Sequence, residues 1–332
     1  MLLSIFSIFV TFLFIIIFSK LATNINFVDV PNNRKIHQGK IPIVGGISIY
    51  LTIMFFILFF YSFSQVTNII FFSSAIILIL GLVDDIYGAR PILRILIQSL
   101  ASLPIILFGL IINDLGFYNF NGEFFFFSII FTLFCILILT NAYNFIDGID
   151  GCCALNAIIS IFLLLINIFN SSNNFNYDFL IILLSALIIF FIFNIGFVKN
   201  KKIFLGDSGS TFLGFLIAWS FIHASENNLI DPVLVIWCLA LPCFDLLRII
   251  IFRISDKKQI HKPDRNHFHH ILLRIFNNNI YLTLFILTII IIFLYFLGLL
   301  TINYFGSKYS LLFYIISFLI FSVITNKLSK NF

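Results

Sequence analysis

Four polar islands interrupt an otherwise apolar chain, and each carries groups suited to phosphate and metal chemistry. In Phe204-Leu-Gly-Asp-Ser-Gly-Ser210 the glycines let the backbone approach a ligand, the hydroxyls offer donors, and Asp207 is a hard oxygen ligand of the kind magnesium takes. The island opens an apolar helix, whose N-terminal dipole favours an anion. Asp and Ser are equally ordinary N-caps, so on its own this island divides evenly between cap and ligand site. In Leu82-Val-Asp-Asp-Ile-Tyr-Gly88 the carboxylates of Asp84 and Asp85 are adjacent and repel unless a cation or a proton relieves them. That suits a metal-phosphate site or a general base. A solvated helix end stopped by Gly88, or neutralisation by Arg90 and Arg94, is the bland alternative.

Asn141, Asn144, Asp147 and Asp150 form a ladder with a step of three, broken by Gly148 and Gly151. Helix packing needs no such row of polar side chains, so substrate hydrogen bonding is preferred over a capping loop. In the last island, Lys262-Pro-Asp-Arg-Asn-His-Phe-His-His270, the spacing of His267, His269 and His270 lacks the helical zinc pattern. Imidazoles beside Lys262 and Arg265 suit phosphate recognition or proton transfer, against the alternative of a merely basic loop. Asp245 and Arg248 read as an ion pair on one helix face. Trp219 and Trp237 read as packing or interface residues, and the five cysteines as small apolar packing residues.

The elements that must position these islands are membrane helices. The chain has 332 residues, 61% of them hydrophobic and 10% charged, with a mean hydropathy of +1.13, too little polar surface for a soluble globule. Eleven apolar runs emerge: 2–19, 43–63, 68–83, 93–112, 124–139, 152–169, 177–196, 210–224, 231–252, 280–300 and 309–325. The expected fold is therefore all-α and polytopic, a single membrane domain over 1–332 with about eleven spans. Sorting the breaks by side places 18 of the 19 Lys and Arg on one face, Lys308 being the exception. By the positive-inside tendency that face is cytoplasmic, the N-terminus lies outside and the C-terminus inside. The first run has no basic residue before it and no small-residue cleavage site after it, so it reads as a retained helix rather than a signal peptide. The net charge of +5 then reports topology, and no segment is long enough to form a nucleic-acid-binding face. Asp84, Asp85, Asp147, Asp150 and Asp207 all fall at cytoplasmic helix ends beside glycines, where charge is costly unless it lines a watery cavity or binds something.

Read in order, Asp29 to His37 with Pro42-Ile-Val-Gly-Gly46, Asp84-Asp85, Asn141 to Gly151, Phe204 to Ser210 and Lys262 to His270 give the chain its family likeness. It resembles the polyprenyl-phosphate N-acetylhexosamine-1-phosphate transferases, glycosyltransferase family 4, over essentially its whole length. The last island lacks the Pro-Ile-His-His-His typical of the branch that transfers phospho-N-acetylmuramoyl-pentapeptide in peptidoglycan synthesis. It looks like the branch that transfers N-acetylglucosamine 1-phosphate to undecaprenyl phosphate and starts O-antigen or related cell-wall glycans. One departure is visible: Gly88 stands where the family often has a third Asp.

The resemblance implies a magnesium-dependent enzyme, with manganese as a substitute, in a bacterial inner membrane with its site facing the cytoplasm. A UDP-N-acetylhexosamine and undecaprenyl phosphate would be its substrates and UMP its product. Asp207 would ligate the metal, supported by Asn144, and Asp84 or Asp85 would deprotonate or position the lipid phosphate. Asp147 and Asp150 would hold nucleotide or sugar hydroxyls, with Asn141 also lining the substrate. Phe204 would stack on uracil, while His267, His269, His270, Arg265 and Lys262 would cradle phosphates, His269 being the catalytic candidate. Membrane lipids are the surrounding partner; a homodimer is compatible with this reading, and the residues do not set the oligomeric state. A transporter or flippase is the alternative of a different class, but such proteins place ionisable groups near the bilayer midplane and show paired repeats.

Overall fold

The computed structural model describes residues 2–31, 39–60, 63–120, 122–170, 177–255 and 266–330. Among these the chain forms α1 (Leu2–Asn24), β1 (Val28–Asp29), β2 (Ile41–Pro42), α2 (Gly45–Phe59), α3 (Gln65–Tyr87), α4 (Pro91–Leu107) and α5 (Phe125–Ile146). There follow α6 (Cys152–Asn170), α7 (Asp178–Asn194), α8 (Gly206–Glu226), α9 (Pro232–Cys238), α10 (Ala240–Ser255), α11 (Phe268–Ile275), α12 (Ile280–Phe305) and α13 (Ser307–Lys330). A helix satisfies its own backbone, which is what lipid requires of a spanning segment. Among the described residues six helices, α1, α3, α5, α6, α12 and α13, are long and apolar enough to cross a membrane, and the protein is a multi-pass membrane protein. Each of the eleven apolar runs falls on a helix or, for the ninth, on the pair α9 and α10.

Local chemistry sets the boundaries. The Ser64 hydroxyl accepts from Thr67 N at the start of α3, and Gly88, at φ +72°, closes that helix. Asp231 caps α9 ahead of Pro232, and Asn279 caps α12. Where the sequence suggests one span over 231–252, the structure bends by 75° between α9 and α10. The cause is Pro242: it has no N–H to offer the carbonyl of Cys238, and its ring crowds that carbonyl, so α9 ends there.

The core is organised around α8, which is buried along nearly its whole length against α2, α3, α5 and α6. Close approach depends on glycines in its neighbours. A Cβ on Gly81 of α3 would sit 2.2 Å from Ser208 Cα, and one on Gly46 of α2 would sit 2.5 Å from Gly209 Cα. The helix start is therefore wedged between two backbones. A small sheet braces the segment before it: β1 pairs antiparallel with β2, and Ile43 bridges Phe204 in parallel. Trp219 and Trp237 are both fully buried, the latter donating to Ser310 Oγ at 3.0 Å, so they are packing residues. All five cysteines are free thiols.

Candidate active site

The last turns of α3 and α5 meet the first turns of α4 and α8 at one end of the bundle, and this junction collects three of the four islands. Asn144, on the final turn of α5, donates through Nδ2 to Asp207 Oδ1 at 2.7 Å and to Ser210 Oγ at 3.0 Å. Its carbonyl oxygen accepts from Arg94 at 2.8 Å. Arg94 also pairs with Asp84 at 2.9 Å and lies 3.8 Å from Asp207 Oδ2. One guanidinium thus ties together groups from α3, α5 and α8, a use for which its planar fork is better shaped than a lysine.

The two adjacent aspartates have different tasks. Asp84 accepts from Ala89 N at 2.6 Å and faces Arg94, and its side chain is only 7% exposed. Asp85 points the other way, its oxygens accepting from the backbone nitrogens of Asp207 at 2.8 Å and Ser208 at 3.1 Å. It caps α8 from a different helix, neutralising the positive end of the dipole that the glycine-lined turn exposes. Gly206, at φ +75°, leaves the room: a Cβ there would meet Asp85 Oδ2 at 2.7 Å. Asp207 itself is 44% exposed and open to a ligand.

Asp147 follows α5 directly and its side chain makes no hydrogen bond or ion pair with any described residue. Burial raises its carboxyl well above the ordinary carboxylate range, and the charges of Asp207, Asp85 and Asp150 add to the effect. Asp150 pairs with Lys202, whose ammonium also sits 5.3 Å from the centre of the Phe204 ring. Phe204 is half-buried and fixed by backbone bonds to Pro42 and Gly45. Asn141 lies one turn deeper, where its carboxamide donates to Gln98 Oε1 at 2.9 Å. The structure leaves it on the floor beneath Asn144 rather than beside Asp207.

The histidines reach the same junction from α11. Both ring nitrogens of His269 are buried without a hydrogen-bond partner, and a Cβ on Gly148 would lie 2.4 Å from His269 Nε2 and 2.6 Å from His270 Nε2. Burial first, then the charge of His270, holds His269 well below the ordinary imidazole range, so it is neutral at pH 7. His267 turns inward instead: its Nδ1 is 2.8 Å from Asp245 Oδ2 and its ring stacks on Phe145 at 5.3 Å. Lys262 and Arg265 lie outside the described residues.

The result is a carboxylate-rich cluster bordered by Arg94, Lys202, His269 and His270. Its carboxylate oxygens suit a hard divalent cation, and the exposed Asp207 is best placed to hold one, whereas Asn144, expected to support it, turns its NH2 to that carboxylate and its oxygen to Arg94. Among the described residues no three His, Cys, Asp or Glu side chains close around one point, so such a cation would draw its remaining ligands from phosphate oxygens and water. Arg94 and Lys202 are the groups that sequence reasoning leaves unassigned. Arg94 was visible only as a possible neutraliser of the aspartate pair; its contact with Asn144 spans 50 positions of sequence.

Residues 67–225 match the family profile described as glycosyl transferase family 4. The chain is similar to proteins named undecaprenyl-phosphate alpha-N-acetylglucosaminyl 1-phosphate transferase. It is 30% identical to that of Yersinia pestis over 79% of this chain and 73% of the relative. Against that of Pasteurella multocida the identity is 32%, over 79% of this chain and 76% of the relative. Against that of Escherichia coli K12 it is 29%, over 80% and 74%.

Proposed function

The chain belongs to glycosyl transferase family 4, and from that premise we propose that it transfers N-acetylglucosamine 1-phosphate from UDP-N-acetylglucosamine to undecaprenyl phosphate. UMP is released, and the product starts a lipid-linked surface glycan of the O-antigen kind. One observation carries the reading: Arg94 and Asn144 join Asp84 and Asp207, so that groups from four separate helices, α3, α4, α5 and α8, meet in one hydrogen-bonded cluster. The names of the relatives supply the acceptor and the sugar.

In the reaction an oxygen of the lipid phosphate forms a bond to the sugar-side phosphorus, and the bond from that phosphorus to the oxygen of the UMP phosphate breaks. Phosphoryl transfer of this kind needs alignment and charge neutralisation more than covalent help. Asp207, steadied by the amide of Asn144, would hold magnesium, which when bound offsets the charge of the pyrophosphate. Asp84 faces the lipid phosphate beside Arg94 and takes its proton or fixes its position. Asp85 keeps the helix start of Asp207 in place. Asp147 offers free oxygens to sugar or nucleotide hydroxyls, and Asp150 with Lys202 frames the ring of Phe204, which takes the uracil. Neutral His269 and its neighbour His270 meet the phosphates. An apolar groove lined by Phe131, Ile138, Leu139, Ala218, Leu239 and Leu247 runs along α5, α8 and the α9–α10 bend and suits the polyprenyl tail. The site faces the cytoplasm in an inner membrane crossed eleven times, a reading supported by the lysine and arginine asymmetry of the loops.

The test is UMP release by the purified protein in lipid nanodiscs, with UDP-N-acetylglucosamine, magnesium and undecaprenyl phosphate each withheld in turn. Turnover that needs all three is expected. UMP formation only from UDP-N-acetylmuramoyl-pentapeptide would move the chain to the peptidoglycan branch, and none from any UDP-sugar would overturn the reading.

A further inference from the structure

We propose that Asp245 is a positioning residue for the transfer reaction: from inside the bundle it fixes the helix start that carries His269 and His270 to the site. The proposal rests on the function given above. Asp245 is buried in α10 and, among the described residues, makes its hydrogen bonds and ion pairs with Arg248, His267 and Phe268 and with none of the site residues on α3, α4 or α8. Its carboxylate instead holds the segment 266–268 at two points: Oδ2 lies 2.8 Å from His267 Nδ1, and Oδ1 accepts from Phe268 N at 2.9 Å. The second bond caps α11, whose own N-cap, His267, makes no side-chain cap.

Arg248 completes the anchor. Its guanidinium donates to the same Oδ1 at 3.1 Å, to the carbonyl of Asn266, and to Asn326 Oδ1 at 3.0 Å. Three elements, α10, α13 and the start of α11, are thereby locked by one buried acid and one buried base. The ring stack of Phe145 on His267 and of His267 on His269, with centroids 5.3 and 5.7 Å apart, carries that order to the imidazole facing Gly148. A buried ion pair is a costly way to gain stability. Its geometry here makes sense as orientation, because the bonds to Asn266, His267 and Phe268 all end on the backbone or ring that aims His269.

The experiment compares wild type with Asp245→Asn by steady-state UMP release and by amide hydrogen exchange. The charge-free amide retains an acceptor but loses the pull on Arg248 and on the imidazole. The expected result is a kcat lower by about 10- to 10²-fold, as for a small misplacement of catalytic groups. KM for undecaprenyl phosphate should stay within about twofold, with faster exchange confined to 266–275. If Asp245→Asn does not fold, Arg248→Lys decides: it keeps the charge but cannot span three acceptors, so the same split is expected. Unchanged exchange over 266–275, or a kcat equal to wild type, overturns the proposal. Exchange reads the anchor without reference to turnover, and wild-type turnover reads the function without reference to Asp245, so the two ideas fail separately.

Discussion

The carboxylate of Asp85 caps the helix that Asp207 begins, with Oδ1 2.8 Å from the Asp207 amide nitrogen. The acid beside it in sequence, Asp84, faces a guanidinium instead. Two neighbouring aspartates therefore separate into a group that shapes the start of α8 and a group that pairs with Arg94. Asp85→Ala should lower stability by about 1–3 kcal/mol, the scale of leaving buried donors without their charged acceptor, and lower activity with it. Asp84→Ala should lower activity with a smaller effect on thermal unfolding. Melting curves beside UMP release separate the two; equal destabilisation by both variants would remove the distinction.

Arg94 should be more sensitive than its anonymity in the sequence suggests. Arg94→Ala leaves Asp84 and Asp207 facing each other without a cation, and turnover is expected to drop about 10²-fold or more. Arg94→Lys should recover only part, because one ammonium cannot reach Asp84 and Asn144 in the same geometry. Full activity in the lysine variant would show that charge alone suffices.

The glycines beside α8 test whether backbone contact sets the site. A Cβ at Gly81 would stand 2.2 Å from Ser208 Cα, and backbone cannot swing aside. Gly81→Ala should cost about 1–3 kcal/mol by overpacking and reduce turnover. Gly88→Ala, where nothing lies within 4 Å but φ is +72°, should cost about 1–2 kcal/mol of backbone strain. Similar turnover losses in both would argue against the wedge.

Gly148→Ala meets something softer. The atoms a Cβ would approach, at 2.4 and 2.6 Å, are the ring tips of His269 and His270. The side chains can move, so the expected variant folds normally yet turns over about tenfold more slowly, as misplaced catalytic groups do. Wild-type kinetics would place the histidines outside the reaction.

Asp147 gives a pH signature. Its folded carboxyl is raised above the unfolded value of 3.8, so its contribution is fully present below that value and is lost as pH rises through the folded one. At pH 7 the folded protein thus bears a penalty that Asp147→Asn removes. The variant should melt higher than wild type at neutral pH, and the gap should close as pH falls toward 4. A gap independent of pH would contradict the assignment, while UMP release should decline in either case.

Much of this arrangement was legible in sequence because membranes make polar residues conspicuous. Asp84, Asn144, Asp147 and Asp207 stood out at helix ends, and the structure gathers them at one junction. What sequence withheld were partnerships fixed by packing. Asp85 serves a helix that begins 121 positions later at Gly206, and Asp245, readable as a local pair with Arg248, also binds His267, 22 positions on. Asn141 shares the ladder of Asn144 but reaches Gln98 instead of Asp207, since a step of three keeps it on the same face of α5 while setting it one turn deeper. The bend in the ninth apolar run was written in Pro242, which composition averaging hides.

α8 has one more implication, for biogenesis. It carries Asp207, a histidine and four serines with a threonine, and it is not among the segments apolar enough to cross unaided. A newly made chain would have to retain this segment beside already inserted neighbours, since α3 and α5 supply the surfaces that shield it. A chain lacking α3 or α5 would lose that shelter, so the turn that carries Asp207 can settle only once both of these earlier helices are in place.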